Sequence, residues 1–308
     1  MDNHTSLPEF FIVAFSTFSA YKSYLFTVFL LIYLIALLAN SAIITVIYID
    51  QHLHTPMYLF LCNLSLLDLC YTTVTLPKLL YMLLSGNYTV SFIQCFTQMY
   101  FYWESVSTEV VLLFTMAYDR YVAICNPLHY HRIFNRKLCV ELTAAIWVTG
   151  CLNSLLILIA ATHMTFCNSY IINQFFCDAK SLMKLACTHK EEFSIVIYVE
   201  VFVFGISPFF ISLTSYIKII STILNIKSRD GRKKAFSTCS SHLTVLTIFY
   251  GTAITVYLMP PSDHNKVLEL IFTVLYTVVT PMLNPLIYSL QNKDVKRALK
   301  RFTGIQKR

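Results

Sequence analysis

Apolar residues in this chain come in long unbroken runs, not in the short periodic stripes of soluble elements. A bilayer-spanning helix needs about 20 mostly apolar residues. Charge-free runs near that length cover Tyr24–Ile49, Leu142–Thr162, Leu243–Ser262 and Leu270–Asn292. Val201–Ile217 is shorter but extends on both sides. Two further stretches carry isolated charges: Met57–Leu84 with Asp68 and Lys78, and Phe92–Val122 with Glu104, Glu109, Asp119 and Arg120. Seven spans are therefore predicted, followed by a short amphipathic helix from about Asn292 to Phe302. The segments are too long and too continuously apolar for alternating barrel strands, so the fold class is an all-α membrane bundle.

Composition points the same way. Of 308 residues, 56% are hydrophobic and only 13% charged, where soluble domains carry roughly 25% charged residues. An aromatic share of 15% excludes a disordered chain. No linker, low-complexity tract or repeat interrupts the pattern, so residues 1–308 read as one domain, with 1–22 outside the cell and 292–308 a cytoplasmic helix and tail.

The basic residues set the orientation. With the N-terminus outside, seventeen of the 23 Lys and Arg fall on the cytoplasmic side, leaving Lys22, Lys78, Lys180, Lys184, Lys190 and Lys266 outside. The net charge of +7 then reflects topology and contact with anionic lipid, and scattered loop positions argue against nucleic acid as a partner. No signal peptide precedes the first span, which is expected to direct its own insertion. Asn3-His4-Thr5 is a glycosylation sequon on the outer side, and Asn87-Tyr88-Thr89 is a second one nearer the membrane. Four of the ten cysteines, Cys95, Cys167, Cys177 and Cys187, fall outside, where disulfides form; four allow three pairings, and spacing does not choose among them. The absence of any CxxC-type pair disfavours zinc, and no metal site is expected.

Several blocks, in chain order, carry a resemblance. They are Leu53-His54-Thr55-Pro56-Met57-Tyr58, the run Met116 to Cys125 containing Asp119-Arg120-Tyr121, Phe176-Cys177-Asp178, the run Lys234 to Leu243, Phe249-Tyr250-Gly251, and Pro281 to Leu290 containing Asn284-Pro285-x-x-Tyr288. Together they resemble the vertebrate odorant receptors, which belong to the rhodopsin-like G-protein-coupled receptors. Ala39 and Gln291 depart from the usual Gly and Arg. The resemblance implies an odorant ligand, a heterotrimeric stimulatory G protein that raises cyclic AMP, and a plasma-membrane location in olfactory cilia. It also implies a Cys95–Cys177 bridge between span three and the second outer loop, which leaves Cys167 and Cys187 to close a local loop.

Within this frame, Asp119 and Arg120 form an ion pair at the cytoplasmic mouth of span three, too costly to bury unless satisfied. Arg120 is expected to be a latch, released when neighbouring helices move. Tyr121, Tyr216 and His242 are expected alongside it, and Asn284, Pro285 and Tyr288 form a second moving part at a proline kink. Asp68 and Glu109 are mid-membrane carboxyls, with Asn40 and Asn284 brought near by resemblance; they either share a proton or hold a cation such as sodium. Apart from that ion, no cofactor is expected.

Helical spacing suggests the ligand pocket. Tyr102, Val106, Ser107 and Val110 share a face of span three; Tyr250, Ile254 and Tyr257 share one of span six. Phe204 in span five and Thr273 and Thr277 in span seven would close an apolar, aromatic cavity with a few hydroxyls. Glu200 is unusual there and suits a cationic or hydrogen-bond-donating ligand, although Tyr102 stands near where amine-binding relatives carry an acid. A transporter would want repeats and broken helices, and the chain has only 6 Gly. An enzyme would need a catalytic constellation, and neither HExxH nor GxSxG occurs.

Overall fold

The computed structural model describes residues 9–167, 170–258 and 266–302. Among the described residues six helices are long and apolar enough to cross a membrane: α1 (Lys22–Ile49), α2 (Pro56–Ser85), α4 (Arg136–Thr162), α5 (Lys190–Leu224), α6 (Arg229–Leu258) and α7 (Val267–Gln291). The charged helix α3 (Phe92–Cys125), of 34 residues, runs between α2, α4, α5 and α6 and is mostly buried. A final helix, α8 (Lys293–Phe302), buries only Val295 and Ala298. The result is the helical bundle that the apolar runs predict. Asn3 lies outside the described residues.

Helix boundaries follow local chemistry. Pro56 opens α2, where its missing N–H is no loss. Gly86 ends α2 at φ +75°, a left-handed cap that residues with a side chain seldom adopt. Ser91, Asn135 and Asp178 each accept a backbone N–H at the start of a helix. Large apolar residues such as Leu38, Leu156 and Phe202 face outward, as lipid surroundings require and water would not tolerate.

Lipid is as apolar as leucine, so helices in it associate through close packing and interhelical hydrogen bonds. At Gly150 of α4, an added Cβ would overlap the Thr108 hydroxyl and lie 3.0 Å from the Glu104 carbonyl of α3. Trp147 Nε1 donates to Asn63 Oδ1 at 3.0 Å, joining α4 to α2. Pro285 has no N–H for the carbonyl of Pro281, and Asn40 Nδ2 fills that place at 3.1 Å, joining α1 to α7.

At the disulfide-bearing end stands a small sheet that the apolar runs do not predict. Strand β1 (Glu9–Ile12) pairs antiparallel with β2 (Thr89–Ser91) and parallel with β3 (Ile171–Ile172). Phe10, fully buried, packs against Phe92, Phe166 and Tyr170. The segment before α1 thereby ties the loop between α2 and α3 to the loop between α4 and α5.

Candidate functional site

The loop between α4 and α5 forms a roof. Disulfides join Cys95 to Cys177 and Cys167 to Cys187. The Cys177 N–H donates to Gln98 Oε1 at 2.9 Å, and Gln98 Nε2 donates to the Val74 carbonyl at 2.8 Å, so one glutamine clamps the loop to α2 and α3. Next to it, the ring of Phe176 lies 4.6 Å from that of Tyr102. A short helix, Ala179–Leu185, carries Lys180 to α7, where its ammonium meets Glu269 at 3.0 Å and donates to the Val256 carbonyl of α6.

Asp178 caps that short helix, accepting from the Ser181 N–H at 3.3 Å. Burial pushes its carboxyl up to about 6, outweighing the pull of Lys180. The folded chain thus holds this proton more tightly than the unfolded one, so the carboxyl lowers stability progressively as pH rises from 3.8 to about 6 and by a constant amount above that. Asn caps as well as Asp does. The Asp178→Asn receptor should therefore melt higher than the wild type at neutral pH, the gap closing on acidification through that window. Melting curves of the two purified receptors across the window would check it; a gap that is absent or widens in acid would be the wrong sign.

Beneath the roof lies a cavity of about 310 Å³ between α3, α5, α6 and α7. Val106, Ser107, Val110, Glu200, Phe204, Tyr250 and Ile254 line it. The expected lining is incomplete in other places. Tyr102 instead packs on Tyr71 and Phe176, above the cavity lining. Thr273 accepts from Gln174 Nε2 at 3.3 Å while its hydroxyl donates to the Glu269 carbonyl, and Thr277 donates to the Thr273 carbonyl; neither lines the cavity. Tyr257 lies in α6, but its side chain falls outside the described residues.

Trp103, Phe209, Phe249 and Tyr276 line the cavity too, although helical spacing does not predict them. The cause is local. α5 contains a π-helical stretch, Val201–Ile206, and α7 another, Leu275–Val279. A π-turn adds a residue per turn and rotates the remainder of its helix, so Phe209, five residues after Phe204, faces in; Tyr276 lies within the π-helical stretch of α7 itself. For Trp103 and Phe249 a signal existed, since each adjoins a residue that spacing places on the inner face. Ile206, Phe210 and Ile254 both line the cavity and are exposed on the outer surface. Its rim between α5 and α6 is therefore wholly apolar.

Polar groups gather below. Asn284 Nδ2 donates to both oxygens of Asp68, at 3.1 and 3.2 Å, bracing α7 on α2. Glu109 is 4% exposed, and its Oε1 has no partner among the described residues; nor have Asn40 Oδ1, Asn284 Oδ1 and the Tyr288 hydroxyl. These unpaired oxygens suit a proton, water or a hard monovalent ion. Among the described residues no three His, Cys, Asp or Glu side chains converge as a metal site.

At the far end of α3, Arg120 Nε donates to Asp119 Oδ2 at 2.8 Å and its Nη2 reaches the same oxygen. The Tyr130 hydroxyl donates to Asp119 Oδ1 at 2.8 Å from the loop after α3. Asp119 is wholly buried and the Arg120 side chain 11% exposed. The Tyr216 hydroxyl meets His242 Nδ1 at 2.5 Å, linking α5 to α6. Tyr121 lies under the Lys218 ammonium of α5, 5.9 Å from its ring centre.

The olfactory receptor family model matches residues 29–305. Olfactory receptor 1 of Rattus norvegicus is 47% identical over 262 residues, covering 85% of this chain and 83% of that protein. Olfactory receptor 2K2 of Homo sapiens is 46% identical over 303 residues, 98% of this chain and 96% of that protein. Olfactory receptor 1E16 of Mus musculus is 46% identical over 262 residues, 85% and 83% of the two chains. With a bundle of membrane-spanning helices, a roofed cavity and matches of this extent, the chain belongs to the olfactory receptor family.

Proposed function

We propose that this multi-pass membrane receptor binds a small, partly hydrophobic odorant in the cavity between α3, α5, α6 and α7 and activates a heterotrimeric stimulatory G protein, raising cyclic AMP. In that reading the N-terminus is extracellular and the receptor works in the plasma membrane of olfactory cilia. Family membership supports odorant recognition and G-protein coupling in general, and the relatives are receptors, not enzymes. The observation that carries the ligand's place is the cavity itself: its volume of about 310 Å³ lies at the lower end of small-molecule sites, and its walls are aromatic and aliphatic. The apolar rim between α5 and α6 favours a ligand that partitions into lipid.

Cells carrying the receptor and a stimulatory G protein should raise cyclic AMP when given the right volatile. Val110 is 3% exposed and lines the cavity. Val110→Phe should fill part of that space and weaken every agonist by about tenfold or more, since overpacking costs about 1–3 kcal/mol. Val110→Ala should instead favour bulkier agonists. Unchanged dose–response curves for both variants, at normal surface expression, would remove the ligand from this cavity.

A further inference from the structure

The cavity is apolar except near one cluster. Glu200 of α5 lines it and is 8% exposed. Asn153 of α4, itself 6% exposed, donates through Nδ2 to Glu200 Oε2 at 2.8 Å and to Ser107 Oγ at 2.9 Å. Ser107 donates its own proton to the Trp103 carbonyl at 2.8 Å. An Asn side chain has two N–H groups and a serine one O–H, so with Glu200 as the carboxylate every donor of this cluster is engaged within it. Glu200 Oε1 accepts no hydrogen bond among the described residues. What the cluster has left to offer a ligand is an acceptor.

A second group stands apart from this cluster. Tyr250 of α6 is 4% exposed and lines the same cavity, and its hydroxyl has no partner among the described residues. A buried hydroxyl left unpaired costs about 1–3 kcal/mol, which a bound molecule with a polar atom would recover.

Resting on the cavity as the odorant site, we infer that the receptor selects ligands with an O–H or N–H donor on a compact apolar body: the donor binds Glu200 Oε1, and Tyr250 bonds a polar atom of the same molecule. Carbonyl compounds lacking a donor leave Glu200 Oε1 without a hydrogen bond. Carboxylates oppose one acceptor with another. A site built to bond a ligand's O–H or N–H rejects analogues without it far more strongly than an apolar pocket rejects a missing methylene. Asn153 is a positioning residue, holding the Glu200 carboxyl by one oxygen so that the other remains for the ligand.

The test is a straight-chain series of equal length, alcohol, primary amine, aldehyde and carboxylic acid, on wild-type, Glu200→Gln and Glu200→Leu receptors, read as cyclic AMP with surface expression measured. In the wild type the alcohol or the amine should be more potent than the aldehyde by about tenfold or more, the worth of about 1.4 kcal/mol. A stronger alcohol identifies a neutral donor and a stronger amine a cationic one. In Glu200→Gln the amide oxygen can take Asn153, leaving an N–H for the ligand, so the preference should invert toward the aldehyde. In Glu200→Leu the preference should vanish. An aldehyde or acid that equals the alcohol and the amine in the wild type overturns the inference, as does a preference order that Glu200→Gln leaves unchanged or a series to which no receptor responds. Agonists weakened by Val110→Phe yet indifferent to Glu200 would overturn the donor rule alone. Agonists indifferent to Val110 as well would overturn the cavity reading.

Discussion

The Arg120→Ala receptor should reach the cell surface, still bind agonist and fail to raise cyclic AMP. In the structure Arg120 is held by one oxygen of Asp119, while Tyr130 occupies the other. A guanidinium so placed is kept from any partner beyond the bundle. Two bonds lie near it: Tyr130–Asp119 joins α3 to the loop after it, and Tyr216–His242 joins α5 to α6. Release of Arg120 as α6 moves would expose the charge to a G protein, to which Arg232 and Lys233 at the start of α6 add positive charge. Removal of the side chain deletes the contact made in the active state, so signalling should drop below detection whatever the agonist. Agonist should still raise the melting temperature of the purified variant, because ligand bound to the folded state stabilises it. Tyr130→Phe tests the other half of the latch. It leaves Asp119 with one fewer hydrogen bond, about 1.5–3 kcal/mol for a charged acceptor, and should raise basal cyclic AMP severalfold by shifting the balance between states. A normally expressed, fully active Arg120→Ala receptor would end the latch account.

The fold was legible because the solvent writes it. Lipid demands unbroken apolar runs of fixed minimum length, and those runs mark α1, α4, α6 and α7 directly. α2 and α3 depart from that rule: Asp68, Glu104, Glu109 and Asp119 are accommodated by burial among neighbouring helices and Arg120 by its pairing with Asp119, not by apolar length. The amphipathic α8 was legible from charge alternation. By contrast, β1 is a four-residue segment whose partners lie far away in sequence, and no local period announces such a pairing. The clamp made by Gln98 was equally silent: a lone glutamine in an apolar helix says nothing of which loop it will hold.

Site residues were legible to the extent that helices stayed regular. On α3, which runs unbroken, Val106, Ser107 and Val110 reach the cavity as spacing suggests. On α5 the π-turn breaks the 3.6-residue count, so Phe209 lines the cavity. On α7 Tyr276, inside the π-helical stretch, lines it, while Thr273, ahead of that stretch and bonded to Gln174 of the roof, and Thr277 do not. Tyr102 fails for a different reason. It has the right angular position but lies a turn above Val106, where Phe176 of the roof already covers it. Angle is written in the sequence; depth beneath a folded loop is not. The proline kink behaves alike. Pro285 announces a freed carbonyl but not its partner, which proves to be Asn40 of α1, while Asn284 turns to Asp68.

Glu109→Gln should move basal signalling and shift the dose–response curves of all agonists together. Glu109 stands two residues, about 3 Å along the axis, below Ser107 and on a different face of α3. It does not line the cavity, whereas Ser107 and Val110 on either side of it do. Its unpaired Oε1 belongs with the polar layer in which Asp68 braces α7 through Asn284 and Asn40 holds the carbonyl freed by Pro285. These bonds run between helices and have to rearrange if α7 bends at Pro285. Gln replaces an acceptor by a donor of nearly the same shape, which changes the energy gap between resting and active arrangements without touching the ligand. Such a change acts on every agonist by the same factor, and couplings of about 1–3 kcal/mol correspond to shifts of about 5–150-fold. Ser107→Ala, in the cavity wall, should instead change the rank order of agonists. The two ways of filling the layer also separate. If a cation is held there, replacing sodium by an organic cation should alter basal signalling in the wild type and not in Glu109→Gln; if a proton is shared, only pH should do so. A Glu109→Gln receptor with unchanged basal signalling and an altered response to a single agonist would place Glu109 in the pocket and dissolve the division between recognition and switching.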